Sequence, residues 1–213
     1  MPGDRVWLFD LDNTLHNATP HIFPHINRSM REYIERHLGV DKDEANRIRQ
    51  RYWTRYGATL LGLIRHHNID PHHFLWETHQ FPDLQRMLVF EKPLLNALKR
   101  LPGRKILFSN APRHYTKAIL DLTGLGQCFA AVYTVESLKF QPKPMPAGFR
   151  ALLHAERLDP RHCIMVEDSL PNLVTAKKLG MRTVLVSTNS RQPPYVDLKV
   201  SSVLQLPQRC GRL

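Results

Sequence analysis

The chain has little of what would place it in a specialised class. Its 213 residues include three cysteines, Cys128, Cys163 and Cys210. They are odd in number and far apart, with no CxxC pair. That argues against a disulfide framework or a thiolate metal site and leaves reduced, structural thiols. No apolar run approaches the roughly 20 residues that cross a bilayer, and "MPGDRVW" carries no stretch of signal-peptide length. The expectation is a cytoplasmic protein with no membrane partner. Internal repeats and low-complexity segments are also missing. The net charge is +11, yet basic residues run no longer than pairs such as Arg104-Lys105 and Lys177-Lys178. Without a basic block, the excess reads as a solvated surface and no nucleic-acid partner is expected. Such a field still attracts small anions.

What remains is an ordinary globular composition, 42% hydrophobic and 23% charged, in a chain long enough to bury a core unaided. Short apolar runs alternate with segments of helical spacing. The strand-like runs are "RVWLFD" (5–10), "KILFSN" (105–110), "AAVYTV" (130–135), "CIMVED" (163–168), "TVLVS" (183–187) and, weakly, "SSVLQL" (201–206). Helical segments lie at 92–101, 115–125, 146–158 and 170–180, two of them stopping on Gly124 and Gly180, where a helix C-terminus favours glycine. Strands apolar throughout and alternating with helices predict an α/β protein, a Rossmann-like parallel sheet covered on both faces. One interval breaks the alternation. From His16 to about Phe90 the chain is helical in character, and too long for a structureless loop. The expected organisation is therefore an α/β core from 1–15 and 91–213, with an inserted helical cap at 16–90.

Every notable polar cluster follows a strand: Asp10 and Asp12, Ser109 and Asn110, Lys143, and Glu167 with Asp168. Parallel strands gather such ends at one edge of the sheet, where ligands of open α/β folds bind. In extended chain a period of two turns Asp10 and Asp12 to the same side. An EF-hand is excluded, because the sixth position of that loop is Leu15 and the twelfth His21. Two adjacent carboxylates suit phosphate-ester hydrolysis. Asp10 can attack phosphorus and form an aspartyl-phosphate, while Asp12 protonates the leaving alkoxide and later deprotonates water. Mg²⁺ on Asp10 and Asp168 would screen the ester's charge. Lys143 supplies a fixed positive charge, and Ser109 and Asn110 neutral donors.

"DLDNTL" before a helical insertion, then "FSNAP", "KPMP" and "VEDSLPNLVTAKKLGM", resemble motifs I to IV of the haloacid-dehalogenase superfamily with a type-1 cap. Within it, "DNTLH", "RYGATLLGL" followed by "HHNID", "FSNAP" and "EDSLPNL" look most like the pyrimidine 5′-nucleotidase branch. The resemblance implies Asp10 as nucleophile and Asp12 as acid/base. It implies Mg²⁺ held by the Asp10 carboxylate, the Asp12 carbonyl and Asp168, with Glu167, where Asp is commoner, a further metal candidate. Ser109 and Lys143 would touch the phosphoryl group. Asp12 argues against dehalogenation, which releases halide and requires no acid. The expected substrate is a small phosphorylated metabolite, a nucleoside 5′-monophosphate with a pyrimidine favoured. A sugar-phosphate or phosphoglycolate-type phosphatase, a phosphomutase and a non-catalytic phosphate binder are the alternatives.

In the cap, Tyr52, Tyr56 and Thr59 fall at helical spacing and could present one face to a base, or else pack the cap's own core. Gly57 is unfavourable inside that helical pattern, and a close approach of backbone to ligand or core would explain it. The histidine pairs His66-His67 and His72-His73 flank an expected Asp70-Pro71 turn. Adjacent side chains diverge on a helix, so neither pair is a chelating couple.

Overall fold

The computed structural model describes residues 5–189 and 191–213. Six parallel strands form one sheet: β1 (Val6–Phe9), β2 (Arg104–Phe108), β3 (Ala131–Tyr133), β4 (Cys163–Glu167), β5 (Arg182–Val186) and β6 (Leu198–Val200). Their order is β3-β2-β1-β4-β5-β6, the doubly wound arrangement whose order reverses beside β1. Register is continuous through the centre, with Leu8 opposite both Ile106 and Met165.

Alternation along the buried strands separates two cores. Trp7, Phe9, Leu107, Ile164, Val166 and Val184 join one, while Val6, Leu8, Ile106, Phe108, Met165 and Leu185 join the other. Because both faces are covered, both sets are apolar, which is why the sequence shows runs rather than alternation. The described residues form ten α-helices: α1 (Ile22–Leu38), α2 (Lys42–Tyr56), α3 (Thr59–His67), α4 (Pro71–Thr78), α5 (Leu84–Met87), α6 (Leu94–Arg100), α7 (Arg113–Thr123), α8 (Pro146–Ala155), α9 (Leu170–Lys178) and α10 (Leu206–Arg209). Helices α6, α7 and α10 cover the first face. Helices α8 and α9 cover the second.

The sixth strand differs from expectation. Residues 201–206 are not extended: β6 ends at Val200, and Val203–Gln205 form a 3₁₀ turn that leads into α10. Ser202 caps that turn by accepting from the Leu204 N–H at 3.2 Å. Val203 and Leu206, three apart, turn inward together, so this apolar spacing is helical.

Between β1 and β2 run five helices, α1 to α5, with a core of their own built on Tyr33, Ile34, Ile48, Tyr52, Leu63 and Phe74. Helix α1 serves both sides: Ile22 and Ile26 pack on the sheet core, Tyr33 and Ile34 on the helical one. Pro20 and Pro24 do not interrupt it. Pro24 lies in its first turn, where the N–H has no intrahelical partner to lose. The two connecting segments pair where they cross, the Asn17 N–H donating to the Val89 carbonyl at 2.7 Å. Val135, from the loop after β3, is buried in the helical core too.

Candidate active site

The tip of β1 is fixed by its neighbours. The Asp10 N–H donates to the Val166 carbonyl at 3.0 Å, extending the β1–β4 pairing by one residue. Beyond it the chain turns tightly, with Leu15 N–H on the Leu11 carbonyl at 2.9 Å. Asn13 adopts a left-handed φ of 60°, a conformation asparagine tolerates. Its Oδ1 accepts from the Ala18 N–H at 2.9 Å and the Thr19 hydroxyl at 3.1 Å.

Lys143 is the hub of the crevice. Its side chain is 1% exposed, and Nζ donates to Asp10 Oδ1 and Glu167 Oε2, both at 2.7 Å. An ammonium carries three protons, so one remains for a ligand. The lysine is held from several directions. The Asn110 carboxamide brackets its backbone, Oδ1 accepting from the Lys143 N–H at 2.7 Å and Nδ2 donating to its carbonyl at 2.8 Å. The Thr175 hydroxyl, from α9, donates to the Pro144 carbonyl at 2.8 Å. The Phe108 ring lies 5.1 Å from the ammonium. Asn110, expected among the phosphoryl donors, thus has its side chain engaged in positioning the lysine. Ser109 sits at the end of β2, and its Oγ accepts from the Ala111 N–H at 3.0 Å, which leaves its own proton to donate.

Glu167 also accepts from Asn172 Nδ2 at 3.0 Å and from the Ser169 N–H at 3.2 Å. Its two oxygens are therefore occupied by the lysine, α9 and the turn before it. Asp10, Glu167 and Asp168 nevertheless bring carboxylate oxygens within 4.8 Å of one another. Three carboxylates against one ammonium leave two negative charges in a buried pocket, the deficit a divalent cation would fill. All three carboxyls lie above the ordinary range. Burial, then Glu167, pushes Asp10 up to about 7 against the pull of Lys143. Burial likewise raises Glu167 and, with Asp10, Asp168. An all-oxygen set of this kind suits Mg²⁺.

Sequence reasoning missed what surrounds Asp12. The Tyr115 hydroxyl, from α7, donates to Asp12 Oδ1 at 2.7 Å, and His16 Nε2 lies 3.0 Å from the same oxygen. Both partners are buried. Burial, together with the Asp12 charge, holds the Tyr115 phenol well above its ordinary value, so it stays a donor. Because both contacts fall on Oδ1, a proton carried by Asp12 belongs on Oδ2. His79 closes the far side of Tyr115, ring to ring at 6.0 Å. The one available signal was that His16 follows Asp12 by four residues across a turn.

The three cap residues are not on one face. Gly57 ends α2 with φ 78° and Thr59 opens α3, so the helix breaks between Tyr56 and Thr59. Tyr52 is buried, and its hydroxyl pairs with His67 Nε2 at 2.7 Å. A Cβ on Gly62 would fall 2.1 Å from the Tyr52 ring, which is how closely α3 crosses α2 there. The Tyr56 hydroxyl meets His66 Nε2 at 2.6 Å, and the Thr59 hydroxyl donates to the Arg49 carbonyl at 3.0 Å. All three polar groups are thus engaged within the helices between β1 and β2. Gly57 does make a close approach, to the core: a Cβ there would lie 3.1 Å from the Pro144 ring.

A doubly wound sheet, an acid–lysine crevice beside its central strand and a helical insertion above define a hydrolase-type α/β enzyme. The chain belongs to the haloacid dehalogenase-like hydrolase family, whose model matches residues 5–180. It is 26% identical over 202 residues to Phosphate metabolism protein 8 of Saccharomyces cerevisiae, covering 86% of this chain and 62% of that protein's length. It is 26% identical to a phosphoglycolate phosphatase of Rhodospirillum rubrum, covering 92% of this chain and 85% of that one. Among solved structures, an HAD phosphatase from Thermococcus onnurineus superposes with a TM-score of 0.68 at 22% identity, covering 97% and 98% of the two chains. The L-2-haloacid dehalogenase of Xanthobacter autotrophicus gives 0.62 at 15% identity, covering 97% and 98%. A phosphatase and a dehalogenase thus share the fold, and the fold by itself does not choose between them. Among the described residues no helix is long and apolar enough to cross a membrane.

Proposed function

We propose that the protein is a Mg²⁺-dependent phosphomonoesterase working through a phosphorylated Asp10. The observation that carries this reading is the second carboxylate: Asp12, bonded by Tyr115 and His16, is a built proton carrier beside the nucleophile. A dehalogenase or a simple phosphate binder has no use for it.

The residues divide the work as follows. Lys143, fixed by Asp10, Glu167 and Asn110, presents its remaining proton to a phosphoryl oxygen. Ser109 donates to another. The Asp10 carboxylate attacks phosphorus, the P–O bond to the leaving group breaks, and Asp12 delivers a proton to the departing alkoxide. Asp12 then takes a proton from water, whose oxygen attacks the aspartyl-phosphate and releases phosphate with Asp10 regenerated. A Mg²⁺ ion on Asp10, Asp168 and the Asp12 carbonyl, with Glu167 beside it, would neutralise the charge that builds on the phosphoryl oxygens. The division into a core (1–15 and 91–213) and a cap (16–90) belongs to this reading, the cap excluding water from the crevice.

Two substrate classes have support from different sides. The "DNTLH" and "EDSLPNL" motifs support a nucleoside 5′-monophosphate, pyrimidine first. The names of the curated relatives support a phosphoglycolate-type or sugar-phosphate ester. One phosphate-release panel over uridine, cytidine, adenosine and guanosine 5′-monophosphates, phosphoglycolate and glucose phosphates, with Mg²⁺ or chelator, separates them. Highest kcat/KM on the pyrimidine nucleotides selects the first class, and a flat response across bases with faster phosphoglycolate cleavage selects the second. Asp10→Asn is expected to abolish turnover with the circular dichroism spectrum unchanged. Retained activity in that variant removes the mechanism.

A further inference from the structure

Away from the crevice, the first and last helices of the cap core bring two imidazoles and a carboxylate together. His37 closes the last turn of α1, and His73 and Glu77 stand one turn apart on α4. One ligand atom from each of the three lies within 4.8 Å of the other two. His73 does not pair with its neighbour His72, consistent with adjacent residues pointing apart; it meets His37 from the other helix, ring centroids 5.3 Å apart.

Each of the three groups is held by a second residue. Tyr33, buried beneath them, orients both rings: its hydroxyl lies 3.0 Å from His73 Nδ1, and its ring stacks on His37 at 4.0 Å. In the tautomer whose Nδ1–H donates to the tyrosine oxygen, the lone pair of Nε2 faces outward, as a ligating histidine requires. Arg36 takes Glu77 Oε2 at 2.6 Å, which fixes the carboxylate's rotation and leaves Oε1 on the histidine side. There, His73 Nε2 and Glu77 Oε1 stand 3.2 Å apart. Two ligands at about 2.0–2.1 Å from a tetrahedral centre are separated by roughly 3.3 Å, so the pair already spans one edge of such a site.

We propose that His37, His73 and Glu77 form a binding site for a divalent transition-metal ion of the zinc class. Two imidazoles and one carboxylate prefer Zn²⁺, Co²⁺ or Ni²⁺ over the hard Mg²⁺ that the catalytic carboxylates suit. The exposed position of both histidines leaves room for water to complete the coordination. The ion would tie α1 to α4 and so clasp the cap core. Binding requires deprotonated imidazoles and therefore weakens in acid.

The test uses the full-length chain without a histidine tag, stripped by chelator and kept in saturating Mg²⁺ so that the catalytic carboxylates are occupied. Titration with Co²⁺ is expected to give the visible absorption bands of a four-coordinate ion at one equivalent. Zn²⁺ should displace it and raise the melting temperature. The double variant His37→Gln/His73→Gln should lose the bands while keeping Mg²⁺-dependent activity. Tyr33→Phe, with all three ligands intact, should weaken binding by about tenfold. Absence of the Co²⁺ spectrum, or bands that persist unchanged in the double variant, overturns the assignment and leaves a histidine–glutamate ion pair only.

Discussion

In the proposed mechanism Asp12 is the residue on which the chemistry turns, and its surroundings make separate predictions for the acid and for what holds it. Asp12→Asn removes the proton that the leaving group requires. A positioned general acid contributes about 10²–10⁴ in rate, so kcat on an alkyl phosphate should fall by that order. An aryl phosphate with a good leaving group should fall far less. Equal losses on both would deny Asp12 its role as acid. Tyr115→Phe keeps the ring that packs against His79 and Phe81 and deletes only the bond to Oδ1. A hydrogen bond to a charged group is worth about 1.5–3 kcal/mol, so kcat should drop by about tenfold or more with KM little changed. A purely structural tyrosine would lower thermal stability and leave the dependence on leaving group untouched. Tyr115→Phe should steepen that dependence toward that of Asp12→Asn.

At the scale of the element, the α2–α3 junction shows what patterning conveys and what it misses. Apolar spacing continues through "RYWTRYGATLLGL", so the periodic signal joins two helices into one. The break is set by Gly57, whose φ of 78° only a glycine adopts without cost, and by its contact with Pro144. Gly57→Ala should lose about 1–2 kcal/mol of unfolding free energy to backbone strain, with the Pro144 contact adding to it. Gly39→Ala supplies the comparison. Gly39 has φ 63° and open space around it, so its variant should show the strain alone in urea titrations. Equal losses at the two positions would deny the Gly57–Pro144 contact any energetic role. The same contrast explains how much of the site was legible. Asp10 and Ser109 follow buried apolar strands and Glu167 ends one, and a parallel sheet gathers strand ends by geometry alone. Lys143 lies in the loop beyond the half-exposed β3 and is brought in by the Asn110 carboxamide. Tyr115 and His79 reach the site from helices by tertiary packing, which no local pattern encodes. The misplaced sixth strand has a similar cause: "SSVLQL" is apolar enough for either state, and a serine cap decided for the turn.

At the scale of the whole molecule, stability in acid couples the helical insertion to the sheet through one neutral histidine. His79 follows the last turn of α4 with a buried side chain, its Nδ1 3.2 Å from the Leu75 carbonyl, and its backbone carbonyl faces His114 Nε2 at 3.2 Å. Burial, reinforced by His114 and opposed by Asp12 and Glu136, lowers its pKa from 6.5 to about 4. The unfolded chain therefore binds this proton first. Below pH 6.5 the unfolded state gains a proton that the folded state refuses, so stability falls as the pH drops and levels off near 4. A difference of about 2.5 units corresponds to about 3 kcal/mol across that window. The carboxyls of the crevice, raised by burial, titrate with the opposite sign. The readout is accordingly the difference between wild type and His79→Gln, by urea unfolding in saturating Mg²⁺ from pH 7.5 to 4.5. The variant should be the less stable protein at pH 7.5, where it loses a well-packed ring, and the gap should narrow steadily toward pH 4.5. A gap independent of pH would mean that His79 takes up its proton as freely in the folded protein as in the unfolded chain, and that its packing against Tyr115 and His114 tolerates a charge there.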